Sequence, residues 1–565
     1  MAAALDARGA EVSQTVHPTP AGRWLLAGLP LVFLGVVLVA PVLRLLAEGL
    51  GLAGDPLLTG EAASWWLPWQ DAHLRWRLGW SLTQAAVTSV LALLLGLPLA
   101  WVLARLEFAG RALTLRLLML PFVVPTLVAA LGVLALWGPR GWLGEPLLRA
   151  GIDLSETPWL LLYGNLFFNL CLVVRAGVEA LEQVSAQQVA AARSLGASPW
   201  RAFWRVEWPA IGPWLASALC LVFLYCFAGF GLALVLGGQR YATVEVELYT
   251  LVAHELALGQ ASVLAVWSLL LTALVAMAYA VLQRRLAAPV RPQPLPRRRP
   301  AGVRERLAVL LCLGVLLLVC VAPLLAIVGQ AALALAGGAA AVLLEAEALQ
   351  ALGNTLRFTG LALVLATALG LAHALGVHAL DRQAVRQGRS GQGAGALLWR
   401  AAVYLPFIVS PVTVAFGLLL LYPGWTASLG LLLAAYALLA YPFVAQALAA
   451  ALDRLPASYA QAAATLGARP GRVLWRVTLP LVAPALRRGM AFAAATALGE
   501  FAVTLFLSRP EWTTLTTLIY QRLGRPGEAN LDAAMVLACL LMALALLAFV
   551  LIEGPDRNAA DRRHA

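Results

Sequence analysis

Lysine is absent from this chain. All 40 basic residues of the 565 are arginine, and a Walker A phosphate loop needs a lysine at the β/γ-phosphates, so the chain cannot itself carry an ATP site of that kind. Charge of either sign is scarce: Asp, Glu, Lys and Arg make up 12% of the residues, against 62% hydrophobic, and mean hydropathy is +0.83. That balance does not fit a string of soluble domains and excludes soluble enzymes. No HExxH, GxSxG or CxxC pattern occurs. The six cysteines (Cys171, Cys220, Cys226, Cys312, Cys320 and Cys539) all lie in apolar runs, where they read as small buried hydrophobes and neither as a disulfide framework nor as a metal site.

What the chain has instead is a succession of apolar runs, each long enough to cross about 30 Å of hydrocarbon. Spans are expected near 23–47, 78–104, 113–137, 158–178, 212–236 and 261–282, and again near 306–330, 355–380, 397–422, 426–451, 485–508 and 532–552. Residues 1–22 are polar, and the run that follows lacks a cleavage site, so it reads as a retained first span. Between the two sets, 283–306 holds eight arginines and five prolines, too polar and too proline-rich to cross lipid. The expected organisation is an N-terminal segment 1–22, a first half 23–282, a linker 283–305, a second half 306–552 and a tail 553–565.

Arginine placement orients these spans, because cytoplasmic connections keep the positive charge. With the N-terminus inside, the cytoplasmic connections carry 24 arginines and the external ones 8. Both termini are therefore expected in the cytoplasm. The net charge of +12 becomes a topology signal, and no nucleic-acid partner is needed to explain it.

Six spans return the chain to its starting side, so a duplicated six-span unit would give two parallel halves. Duplication is visible. Val189–Pro209 aligns with Ala460–Pro480 at a constant offset of 271 with 11 identities in 21 positions. Each copy, within the cytoplasmic loops 179–211 and 452–488, reads as a short Ala-rich helix, a Leu-Gly-Ala turn, a second short helix opened by Pro, and a Pro that ends it before the next span. Arg201 and Arg205 lie one turn apart, as do Arg472 and Arg476, so each pair shares a face, with Trp204 or Trp475 beside it. Taken singly, such a helix reads equally well as an interfacial anchor with snorkelling arginines. Two copies at the same topological place favour docking into a groove on another protein.

Both loops resemble the EAA loop of ABC importer permeases, which in that family is the coupling helix seated in a cleft of the ATPase subunit. The second copy matches at Gln461-Ala462-Ala463 and Gly467, with Gln in place of Glu. The first matches at Ala191, Ala192 and Gly196, with Ala190 at the Glu position. Trp80-Ser81-Leu82-Thr83 and Asn354-Thr355-Leu356-Arg357, opening the second span of each half, and Leu120-Pro121-Phe122 and Leu405-Pro406-Phe407, opening the third, extend the resemblance over nearly the whole chain. Several stretches are more similar to the fused thiamine/thiamine pyrophosphate permeases than to the ferric iron permeases. They include Gly141-Trp142-Leu143, Phe167-Phe168-Asn169-Leu170, Val206-Glu207-Trp208-Pro209, Ala242-Thr243-Val244-Glu245 to Tyr249, and Ile519-Tyr520-Gln521.

The resemblance implies an all-α polytopic protein with the type I importer permease fold, about 12 transmembrane helices in two parallel six-helix halves, in a bacterial inner membrane. It further implies no enzymatic activity and no cofactor on this chain, ATP and magnesium on a partner ATPase dimer, and a periplasmic binding protein that delivers substrate. Thiamine or its phosphates are the expected cargo, with ferric iron as the alternative. A gradient-driven secondary transporter of twelve spans is the rival from another class, but its cytoplasmic signatures follow spans two and eight, whereas the motif here follows four and ten.

Fewer residues speak to the path. Glu500 is an intramembrane carboxylate, costly to bury and hence a functional candidate; pairing with Arg357 or Arg175 is an equal reading. Asn165 and Asn169 share a helix face and either line the path or bond between helices, the commoner fate. Trp65, Trp66 and Trp69 read as an aromatic belt. His254, His373 and His378 are not grouped as metal ligands would be.

Overall fold

A computed structural model of the chain describes residues 28–52, 64–155, 157–286, 295–386, 394–426, 428–507 and 509–554. The expected segment 1–22, part of the linker and nearly all of the tail 553–565 lie outside the described residues. Among those described, the secondary structure is helical apart from one bridge between Leu106 and Arg298. Among the described residues nine helices, from Gly28–Gly49 to Glu528–Glu553, are each long and apolar enough to cross a bilayer unaided, and one bent pair of helices is so only when its two members are taken together.

Several of the expected spans are broken. The run 113–137 is two helices, Arg111–Val123 and Thr126–Trp137, inclined at 110°. Val124 is forced into extended backbone by Pro125. Its counterpart 397–422 breaks into Ala394–Ala402, Leu405–Ile408 and Pro411–Leu421, with Val409 and Ser410 extended ahead of Pro411. Run 485–508 stops at Leu498 and resumes at Ala502. Run 212–236 likewise stops at Phe227 and resumes at Gly231. Glu500 therefore stands in a gap between two helices and not inside an unbroken span.

The closing prolines of the duplicated loops do not end their helices. Pro209 and Pro480 follow π turns at Phe203–Glu207 and Leu474–Thr478, and the widened turn accommodates a residue that cannot donate to the ladder. In the first copy one continuous helix, Pro199–Phe227, runs from the loop into the membrane.

The first helix of each half packs on the opposite half. Pro41 of the first helix lies against Gly417, and Tyr422 donates to the Val36 carbonyl at 3.0 Å. Reciprocally, Pro323 lies against Gly132, and Tyr163 donates to the Leu318 carbonyl. Both crossing helices carry a π turn just before the proline, at Gly35–Val39 and Leu317–Val321. The main core cluster accordingly mixes the halves, holding Leu127 and Leu131 together with Ile327 and Phe416.

Duplication also explains the Trp-Ser and Asn-Thr motifs. The Ser81 hydroxyl donates to the Arg77 carbonyl and accepts the Val244 N–H at 2.8 Å. The Thr355 hydroxyl donates to the Ala351 carbonyl and accepts the Leu515 N–H at 2.9 Å. Each hydroxyl thus satisfies an orphan donor at the start of the helices Val244–Ala253 and Leu515–Leu523.

Contacts tie the arginine-rich connections to one another within each half. Arg105, at the end of Ala72–Arg105, pairs with Glu207 of the first loop at 2.7 Å. Linker residue Arg297 pairs with Glu182 at 2.8 Å, and Arg298 exchanges backbone hydrogen bonds with Arg105 and Glu107. In the second half Asp453, at the end of Leu429–Arg454, pairs with Arg400 at 2.8 Å beside the second loop. The last helix ends there too, with Glu553 on Arg488 at 3.6 Å.

Candidate functional site: two exposed loops and a central cavity

The helix Ala186–Ser194 ends at Leu195, and Gly196 then takes a left-handed φ of +83°. Gly196 N–H bonds to the Arg193 carbonyl and Ala197 N–H reaches back to Ala192 at 3.1 Å, the six-to-one bond of a Schellman turn. The second copy repeats it: Ala457–Thr465, Leu466, Gly467 at +79°, and Ala468 N–H to the Ala463 carbonyl at 3.0 Å. The spacing from Ala-Ala to Gly is therefore a helix-termination device, in which the glycine tolerates the backbone. Its product is an apolar tip. Leu195 and Leu466 are each 88% exposed.

Neither leucine stands out in the sequence, although the residue is identical in the two copies; their outward aim follows only from the turn. Around them Ala191, Gln461, Ala462, Gly196, Gly467, Arg201, Arg205, Arg472 and Arg476 are exposed, while Ala192 and Ala463 are half-buried. Trp204 and Trp475 are exposed at 44% and 71%. The difference has a cause: Trp204 packs against Trp200, Phe203 and Trp208, at 5.2–5.6 Å between ring centroids. At the matching positions the second loop has Gly471, Leu474 and Leu479. The buried Arg105–Glu207 pair likewise has no equivalent in the second loop, where Thr478 replaces Glu207.

Each loop can therefore offer a leucine tip, an indole and two guanidinium groups to a partner.

The three path candidates converge. Asn165, Asn169 and Glu500, far apart in the chain, line one cavity of about 340 Å³ between the halves, with Thr126, Thr496 and seven aromatic rings. The Asn165 amide donates to Gln84 on the second helix at 2.8 Å, and Gln84 donates to the Cys226 carbonyl at 2.8 Å. Asn169 donates to the Asn165 carbonyl at 2.9 Å. Interhelical bonding and cavity lining thus coexist at Asn165. Gln84, fully buried, belongs to this network; its only signal in sequence is polarity amid an apolar run.

Glu500 makes no pair with the arginines considered for it: Arg175 reaches Glu179 and Met119, and Arg357 is exposed. One Glu500 oxygen accepts the Val503 N–H at 2.9 Å, so the carboxylate caps the helix Ala502–Leu507. In the other half Gly229 holds the position equivalent to Glu500, so the cavity has its carboxylate on one side only.

Glu245, quoted in the sequence only as part of a family-like stretch, is a further buried carboxylate: it accepts from Ser268 at 3.1 Å and from Ser410 of the other half. Trp65, Trp66 and Trp69 gather around Trp267, at 4.9–6.4 Å between centroids. Among the described residues no cluster of His, Cys, Asp and Glu could hold a metal ion.

Residues 92–288 and 384–553 match the family of binding-protein-dependent transport system inner membrane components. The chain belongs to that family. It is 29% identical over 506 residues to the thiamine transport system permease protein ThiP of Escherichia coli K12, covering 87% of this chain and 91% of the relative. It is 28% identical to ThiP of Brucella abortus strain 2308 over 98% of both chains. A sulfate transport system permease protein, CysW of Synechocystis, is 31% identical over 217 residues, 38% of this chain and 76% of its own length. The permease is thus the membrane component of an ABC importer, as its two repeated halves and apolar helices indicate.

Proposed function

We propose that this permease imports thiamine or a thiamine phosphate. The supporting observation is the central cavity, in which seven aromatic rings surround one carboxylate and two asparagines. A thiazolium ring is a flat organic cation; aromatic faces attract it by cation–π interaction, and Glu500 offers the countercharge. A ferric ion wants several oxygen ligands, and sulfate would meet a carboxylate of its own sign. Full-length similarity to two ThiP proteins points the same way.

In this reading the arginine-rich face is cytoplasmic. A separate ATPase dimer, carrying ATP and magnesium, grips the two loops there, and a periplasmic binding protein delivers cargo to the other face. Closure of the dimer draws the loops together and rocks the halves about the axis between them. The test is uptake into proteoliposomes holding the permease and its ATPase, with binding protein outside. ATP-dependent uptake of labelled thiamine, competed by thiamine and its phosphates but not by ferric citrate or sulfate, is expected. Competition by ferric citrate, or uptake driven by a proton gradient without ATP, would contradict it.

A further inference from the structure

The linker between the halves touches both ends of the first coupling loop. At the entry, Glu182 closes the helix Trp159–Glu182 and pairs with linker residue Arg297 at 2.8 Å, with Arg111 at 3.8 Å. At the exit, Glu207 closes the π turn and holds the Arg105 guanidinium at 2.7 Å. Arg105 is itself the last residue of Ala72–Arg105, and the linker grips the main chain just there. The Arg298 N–H donates to the Arg105 carbonyl at 3.1 Å, and the Glu107 N–H donates to the Arg298 carbonyl at 2.9 Å. Leu295 packs against the apolar cluster that holds Leu106 and Val184.

On its other side the linker is fastened to the helix that opens the second half. Glu305, in the first turn of Val303–Leu316, accepts the Ala301 N–H at 2.8 Å and the Arg298 guanidinium at 2.9 Å. The second coupling loop is held differently. Asp453, 271 residues after Glu182, keeps an entry pair with Arg400 at 2.8 Å, but Thr478 stands where the first loop has Glu207. A chain of two halves also has only one linker to give. Exposed ion pairs such as Arg297–Glu182 are individually weak, so their effect is local: together with the backbone bridge they restrict a loop whose ordering would otherwise oppose binding.

We propose that residues 295–305 are a positioning strap for the first coupling loop. Arg297 fixes the entry, and the Arg298 main chain, acting through Arg105 and Glu207, fixes the exit, so this loop is preset for the ATPase while the second is ordered on contact. Neither arginine needs to touch the partner. The strap's role in coupling rests on the reading that an ATPase grips these loops, and it is independent of the cargo.

The test compares the full-length permease with Arg297→Ala plus Arg298→Pro, which removes the guanidinium from Glu182 and the N–H from the Arg105 carbonyl. A nitroxide spin label is placed on Leu195→Cys or on Leu466→Cys, without ATPase, and the signal from the six native cysteines is subtracted using the labelled parent. In the strap variant the spectrum at position 195 should shift toward the mobile component while that at 466 stays unchanged. Arg298→Ala, which keeps the N–H, and Arg297→Lys, which keeps the charge, should stay with the parent. In the unlabelled proteins the strap variant should bind the ATPase about tenfold more weakly, with the hydrolysis rate at saturating ATPase retained. An unchanged spectrum at 195, equal loosening at 466, or unchanged ATPase affinity would overturn the strap. If the proline variant fails to fold, Arg297→Ala alone should give a smaller shift at 195, and none there overturns the proposal equally. A parent that binds no ATPase would sink the coupling reading, whereas the spectra, recorded without it, still decide whether the linker holds the loop.

Discussion

Gly132 lies so close to Pro323 that a Cβ on the glycine would stand 2.8 Å from the proline carbonyl oxygen, and Gly417 meets Pro41 in the same way at 3.0 Å. These are the contacts by which each half holds the other's first helix. Gly132→Ala or Gly417→Ala must push two backbones apart, at a cost of about 1–3 kcal/mol. Gly353, in open space on a helix, is the control: Gly353→Ala should be neutral or stabilising by up to about 1 kcal/mol. Melting of the purified permease in detergent measures both. A Gly132→Ala protein that melts with the parent would contradict the crossed packing.

The turn glycines should act differently. Gly196→Ala and Gly467→Ala place a side chain at positive φ, costing about 1–2 kcal/mol, but in an exposed loop with no neighbour within 4 Å. The expected result is an ATPase affinity reduced about tenfold, the equivalent of about 1.4 kcal/mol, with little change in melting. Titration of the solubilised permease with its ATPase checks this.

Arg105 and Glu207 form a buried pair beneath the first loop only. Glu207→Ala leaves a buried guanidinium uncompensated, which costs about 3–5 kcal/mol, while Arg105→Met with Glu207→Met should recover most of it. Thr478→Ala, the matching change in the second half, should be mild. Thermal melting of these variants beside the parent decides.

At Glu500 the expected effect is on cargo. Glu500→Gln keeps the oxygen that caps Val503 but removes the charge, so the KM for thiamine uptake should rise about tenfold while the protein melts normally. An unchanged KM would remove Glu500 from the path.

The loops were legible because a helix pair with its own turn chemistry carries its signal locally: Gly196 and Gly467 sit where a left-handed residue is needed. Apolar length placed most spans within a few residues, as at Trp159–Glu182 against the expected 158–178. Broken spans were not legible, since 113–137 is apolar on both sides of its bend and hydropathy does not report direction. Nothing local tells Pro41 that its partner is Gly417. Convergence of Asn165 with Glu500 depends on how the halves meet, which is a tertiary fact.

Whether Leu195 and Leu466, with their flanking arginines and indoles, grip an ATPase carried on another chain can be read from one variant. Arg201, Arg205, Arg472 and Arg476 are all replaced by Glu, and the amount of ATPase that copurifies with the folded permease is quantified beside ATP-dependent uptake. Loss of both, with the melting temperature retained, is the expected outcome. Full copurification and undiminished uptake in that variant would mean that the ATPase is not held by these loops.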